Sequence, residues 1–145
     1  DHTTGNAPRF NSDGKELPEL MDVSLEAQIG SAATDSLGLC IFGRSVTNPN
    51  VEFFAESINN AVGTDLDPTF FHKIGRETLR LEREFNIAAG FTSEDDELPQ
   101  FFYDEPLNPT EKTARFHGNE VFDIFERMDS VGTEGVPDEY GRVTA

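Results

Sequence analysis

The sequence predicts an all-α, multihelical domain with long irregular connections. Three observations lead there. Apolar residues recur at helical spacing in two long segments, Val51–Val62 and Phe70–Phe85. Helix-boundary residues, Asp67-Pro68 and Gly63 among them, fall at the ends of those segments. No stretch alternates polar and apolar residues over a strand length.

Residues 5–18 carry Gly, Pro, Asn and Asp without period and read as a loop. A first helix is expected over about residues 19–34, with Leu20, Val23, Ala27 and Ala33–Thr34 forming a weak stripe and Gly30 a point of close packing. Asp35 to Gly43 reads as an irregular connection broken by Gly38. Asn50 is placed to cap the next helix, whose face is Val51, Phe54, Ala55, Ile58, Ala61 and Val62, with Gly63 as a left-handed stop. The longest helix is expected to start at Asp67-Pro68. Phe70, Ile74, Leu81 and Phe85 line one side of it, and Gly90 ends it. Arg76, Arg80 and Arg83 on that helix, with Glu77, Glu82 and Glu84 near them, read as a solvated, salt-bridged face rather than a clamp. Residues 91–117 form a long connection with a helical turn near Gln100–Tyr103. A last helix runs from about Asn119 to a stop at Gly132, burying Val121, Phe122, Phe125 and Met128.

At 145 residues the chain has the size of one domain, and 36% hydrophobic residues with 13 Phe suffice for a core. No apolar run approaches the roughly 18 residues of a membrane span. The chain starts at Asp1 with neither a signal-like stretch nor a methionine, so it is expected to begin inside a longer protein. Asp and Glu number 28 against 11 Lys and Arg, a net charge of −17. That charge disfavours nucleic acid and anionic membranes as partners. Acidity with only Lys15, Lys73 and Lys112 as lysines matches a halophilic, cytoplasmic protein bathed in molar salt. The single cysteine, Cys40, excludes an internal disulfide and fits a reducing compartment.

Chemistry concentrates in Asp35-Ser36-Leu37-Gly38-Leu39-Cys40-Ile41-Phe42. A carboxylate and a thiol stand five residues apart across a glycine. A thiolate suits a soft metal or an iron–sulfur cluster, and a carboxylate suits an aminopyrimidine edge. The plain alternative is a buried small hydrophobe between Leu39 and Ile41, in a non-catalytic acidic binding module. Asp95-Asp96-Glu97 has oxygens for a divalent ion but no calcium-loop pattern, and reads as a solvated acidic loop. His72 and His117 read as structural or solvent-exposed, and the Phe70-Phe71 and Phe101-Phe102 pairs as packing residues.

Asp-x-x-Gly-Leu-Cys followed by an aromatic resembles a motif near the C-terminal end of the tungsten-containing aldehyde:ferredoxin oxidoreductase family. Gly75-Arg76-Glu77, Leu81-Glu82-Arg83-Glu84-Phe85-Asn86, Gly90-Phe91-Thr92, Asp95-Asp96-Glu97-Leu98-Pro99, Glu105-Pro106-Leu107 and Gly135-Val136-Pro137 follow in the family's order. The likeness covers roughly residues 1–140. It implies a C-terminal helical domain over residues 1–145 that closes on a tungsten (or molybdenum) bis-pterin and a [4Fe–4S] cluster, both seated largely by upstream domains of the same chain. It further implies aldehyde oxidation to a carboxylic acid, ferredoxin as electron acceptor, and a fragment inactive alone; a homodimer is compatible with it. By the same resemblance Cys40 is the fourth cluster ligand, Asp35 a pterin partner, Leu39 a backbone contact to the cofactor, and His2 the residue reaching toward the metal and aldehyde. An upstream segment holding the other three cysteines is expected in the gene.

Overall fold

The structure is a computed structural model and describes residues 16–131. Two long helices organise it. Helix α1, Leu17–Ser36, starts two residues earlier than expected because Pro18 sits in its first turn and the Glu19 carboxylate accepts the Glu16 N–H at 3.2 Å. Its apolar stripe looked weak because the helix buries more than one side. Leu25, Ala27, Ile29, Gly30, Ala33 and Thr34 are all buried, and Leu25 and Ile29 were outside the expected stripe. Helix α4, Phe70–Ala88, packs along α1 more extensively than any other described pair.

Between them, the expected irregular stretch is a chain of short turns: a 3₁₀ turn at Ile41–Gly43, α2 at Arg44–Thr47 and a 3₁₀ turn at Asn48–Asn50. Helix α3, Val51–Val62, has the predicted bounds, and Gly63 closes it at φ 75°. Asn50 does not cap it; its side-chain amide instead donates to the Val46 carbonyl at 2.6 Å. Asn59 fastens the next connection, its amide donating to the Leu66 carbonyl at 2.9 Å and its oxygen accepting the Leu66 N–H at 2.7 Å. The Asp67 carboxylate accepts the Thr69 N–H at 2.7 Å, so Asp67-Pro68-Thr69 forms a turn that feeds α4 rather than its first residues.

The core has two parts. Leu25, Ile29, Leu79, Met128 and Val131 form one; Ala33, Val51, Ala55, Phe70 and Phe71 form the other, with Leu37, Leu39 and Ile74 packed on it. Fully burying each large side chain contributes about 1.5–3 kcal/mol. Leu81 and Phe85, expected on the buried side of α4, are 60% and 71% exposed. The apolar stripe outruns the helices that could cover it.

Residues 91–117 run as the expected connection, with α5 at Phe101–Asp104 and an isolated bridge between Leu107 and Lys112. The last helix is only partly α: α6 spans Gly118–Val121, and Phe122–Arg127 continues as 3₁₀. Met128 is buried, and Val121, Phe122 and Phe125 are half-buried. The arginine face is salt-bridged as expected where Arg80 meets Glu77 at 3.5 Å, but it also clamps the last helix, which the solvated reading missed. Arg76 Nε donates to the Met128 carbonyl at 3.1 Å and its Nη2 to the Val131 carbonyl at 2.6 Å. Arg83 donates to the Phe122 carbonyl at 3.2 Å, with its guanidinium 3.9 Å from the Phe122 ring centre. Arg80 pairs with Asp129, and Arg127 grips Asp22 of α1 through two bonds of 2.6 and 2.7 Å. No described helix is long and apolar enough to cross a membrane.

Candidate functional site

Asp35 to Cys40 form the turn that ends α1. Leu37 donates to the Ala33 carbonyl at 3.1 Å, Gly38 to Asp35 at 3.0 Å and Leu39 to Thr34 at 3.0 Å, so the backbone folds back on the last helical turn. Gly38 sits at φ 65°, where a side chain would be strained. The turn sorts its residues by side. Leu37 and Leu39 pack against the cluster of Phe70, Phe71, Val51 and Ala55, while Asp35, Gly38 and Cys40 are exposed. A hydroxyl pair, Ser36 Oγ and Thr78 Oγ1 at 3.0 Å, ties the turn to α4.

The exposure of Cys40 overturns the reading of a buried small hydrophobe. Its neighbour Phe42 is 94% exposed, so that ring is not part of the core that holds Leu37 and Leu39. Asp35 occupies the last turn of α1, and no basic residue shares that turn. A carboxylate at the negative end of a helix opposes the dipole by about 0.3–1 kcal/mol. Such a local cost is expected where a side chain is held for a ligand.

Leu39 places its side chain inward and its N–H on Thr34, which leaves its outward backbone edge for any contact. The turn therefore joins three of the predicted residues, Asp35, Leu39 and Cys40, on one short segment. His2 lies outside the described residues. His72 is buried, its ring 6.0 Å from that of Phe71, in keeping with a structural role. Among the described residues, no group of three or more His, Cys, Asp and Glu side chains could hold a metal. One thiol is a fit for one position of a four-thiolate cluster, not for a whole one.

A cavity of about 560 Å³ opens elsewhere, near the N-terminal half of α1, lined by Leu20, Met21, Leu98, Phe116, Phe122 and Phe125. It offers no thiol and lies at the opposite end of α1 from the turn.

The acidic loop is solvated as expected, with Asp95, Asp96 and Glu97 exposed, and it is also tied down by hydrogen bonds. Asp95 accepts the Thr92 N–H at 2.7 Å. One oxygen of Glu97 meets His117 Nδ1 at 2.8 Å, the other accepts the Gly118 N–H at 2.7 Å, and the His117 ring stacks on Tyr103. The partners lie about twenty residues apart, and nothing in local sequence marked the pairing. Bonds from His117 and Gly118 hold the Glu97 carboxyl down at about 2, and the Glu97 carboxylate raises the His117 imidazole above its ordinary 6.5. Glu97 stabilises the fold above its unfolded value of 4.5 and loses that effect as pH falls toward 2. His117 stabilises it below 6.5 and loses that effect as pH rises through its elevated value. The clasp is therefore complete between pH 4.5 and 6.5. In an NMR titration, the His117 ring protons should titrate above pH 6.5, and Glu97→Gln should bring the midpoint down. A midpoint that Glu97→Gln leaves in place would remove the pairing from the account.

Fold and turn together define a helical domain that presents an exposed thiol and an exposed carboxylate on one short turn. The family model described as aldehyde ferredoxin oxidoreductase, domains 2 & 3, matches residues 6–131. The chain belongs to the aldehyde ferredoxin oxidoreductase family. No match was found among curated proteins or among solved structures.

Proposed function

We propose that this chain is the C-terminal part of a tungsten (or molybdenum) bis-pterin oxidoreductase that converts aldehydes to carboxylic acids and passes the electrons to ferredoxin. The observation that carries the reading is the single turn presenting Cys40 and Asp35 outward while Leu37 and Leu39 anchor it in the core. Cys40 is one thiolate of four on a [4Fe–4S] cluster. Asp35 would hold a pterin by accepting its N–H groups, and the Leu39 backbone would contact the same cofactor. His2 would be the residue that serves the metal and the aldehyde. When bound, the metal–pterin and the cluster supply the two-electron and one-electron chemistry, and the chain's residues bind, orient and tune them. Upstream domains of the same chain cover the turn and bring the remaining ligands.

The full-length protein, loaded with cofactors, should reduce ferredoxin or a viologen dye in an aldehyde-dependent way. The 145-residue chain alone should not. Absence of aldehyde-dependent reduction by a full-length chain containing metal, pterin and cluster would overturn the reading.

The acidic surface supports a second element of the proposal, a cytoplasm of molar salt. With a net charge of −17, folding concentrates like charge. Raising KCl from about 0.1 M to about 1 M shortens the screening length from roughly 10 Å to roughly 3 Å. The melting temperature, followed by far-UV circular dichroism, should rise across that range at neutral pH. A flat or falling series would leave the acidity to another cause, such as a basic partner.

A further inference from the structure

We propose that residues 98–116 form a flap latched at its neck by Glu97, and that releasing the latch opens the cavity beside the N-terminal half of α1.

The flap holds itself together. The Leu107 N–H donates to the Lys112 carbonyl at 2.9 Å, the Ala114 N–H to the Phe102 carbonyl at 2.7 Å, and the Tyr103 hydroxyl to the Phe116 carbonyl at 3.2 Å. Its helix, α5, packs extensively on no other described helix. A loop bonded to itself and tied to the rest at one neck opens as a unit. The neck lies where residues 97 and 117 meet. There the two Glu97 oxygens reach across to His117 and to the Gly118 N–H, and the His117 ring stacks on Tyr103 with centres 4.4 Å apart. Gly118 lies close against the other side of the neck: a Cβ there would stand 2.6 Å from the Ser93 carbonyl oxygen and 2.9 Å from the Glu97 nitrogen.

The stems beside this neck form one wall of the cavity. Leu98 leaves the neck on one side, Ala114 to Phe116 return to it on the other, and they line the cavity together with Leu20 and Met21 of α1. A flap that pivots at the neck therefore lifts this wall from α1. Glu97 and His117 are both exposed, so water competes for their bonds and the latch can release while the core stays closed. The charged groups facing His117 are Glu97 across the neck and Glu120 of α6, whose carboxylate accepts the His117 N–H at 2.9 Å. When His117 loses its proton, its bond to Glu97 is no longer charge-assisted and the latch weakens. The bond from Gly118 to Glu97 is unaffected by that step, so the response is graded rather than all-or-none.

The two methionines of the chain supply a probe and a control. Met21 lines the cavity, and Met128 is buried in the core. Their oxidation by hydroxyl-radical pulses, read by mass spectrometry against free methionine as dosimeter, is measured in the full-length protein. Glu97→Ala is expected to raise oxidation at Met21 about two- to fivefold and to leave Met128 unchanged. Glu97→Gln keeps an acceptor for the Gly118 N–H and should raise it less. In the unaltered protein, Met21 should oxidise faster at about pH 9 than at about pH 6, and Glu97→Ala should remove that difference. Equal Met21 oxidation in the unaltered and Glu97→Ala proteins overturns the proposal. A rise at Met128 in step with Met21 also overturns it, by assigning the clasp to the stability of the whole domain. Where Glu97→Ala does not fold, the pH series on the unaltered protein decides, and a flat series overturns the latch.

Discussion

Cys40→Ser in the full-length protein is expected to abolish most cluster-bound iron and sulfide and the low-temperature EPR signal of the reduced cluster. The structure makes this a discriminating substitution. Cys40 is exposed, and its backbone role, accepting the Gly43 N–H at 2.9 Å, survives the change. Serine differs from cysteine by one atom and keeps the turn's shape, so stability should move by no more than about 0.5 kcal/mol, as for surface changes generally. A hydroxyl is a far poorer ligand for iron than a thiolate, so a four-thiolate site loses a quarter of its donors. Pterin content, which in the proposed function depends on Asp35 and on the upstream domains, should fall less. An unchanged cluster signal would remove Cys40 from the ligand set. Loss of signal together with loss of helical content would instead show that the side chain matters for folding, contrary to its exposure.

The glycine-broken turn after α1 was legible in the sequence because its requirements are local. Gly38 supplies a positive φ, Leu37 and Leu39 point one way, and Asp35 and Cys40 the other. The ends of α3 were legible for the same reason, with Gly63 marking the stop. What escaped depended on partners distant in sequence. The stripe of α4 has uniform period from Phe70 to Phe85, and periodicity cannot say where a neighbouring helix ends. Arg76, Arg80 and Arg83 have the spacing of a solvated face, yet beside the expected Arg80–Glu77 pair their partners include carbonyls, a ring and a carboxylate between Phe122 and Val131. Leu25 and Ile29 were missed because α1 divides its buried residues between two core clusters. Glu97 and His117 meet across a loop whose path no local rule dictates.

Gly75→Val is expected to be strongly damaging to the fold. The position reads innocuously, as a glycine inside a helix that alanine would ordinarily improve by about 1 kcal/mol. Packing reverses the sign. A Cβ built at Gly75 would lie 2.1 Å from the Ile29 carbonyl oxygen and 3.0 Å from its carbon, both backbone atoms of α1. A backbone carbonyl inside a helix cannot rotate aside, so α1 and α4 would have to separate. These helices share both core clusters, and Leu25, Ile29, Ala33, Phe71 and Leu79 would all lose contact together. Overpacking a core typically costs about 1–3 kcal/mol, and here the clash is with main chain, which places valine at or above the top of that range. At roughly 3 °C per kcal/mol for a chain of this size, the melting temperature should drop by about 10 °C or more. Gly75→Ala should also destabilise, by less, and Glu84→Ala on the exposed side of the same helix should be near neutral. The three melts are measured by far-UV circular dichroism under one salt condition. A Gly75→Ala protein at least as stable as the parent would mean that α1 and α4 do not approach this closely, and the account of how the Asp35–Cys40 turn is held against α4 would fall with it.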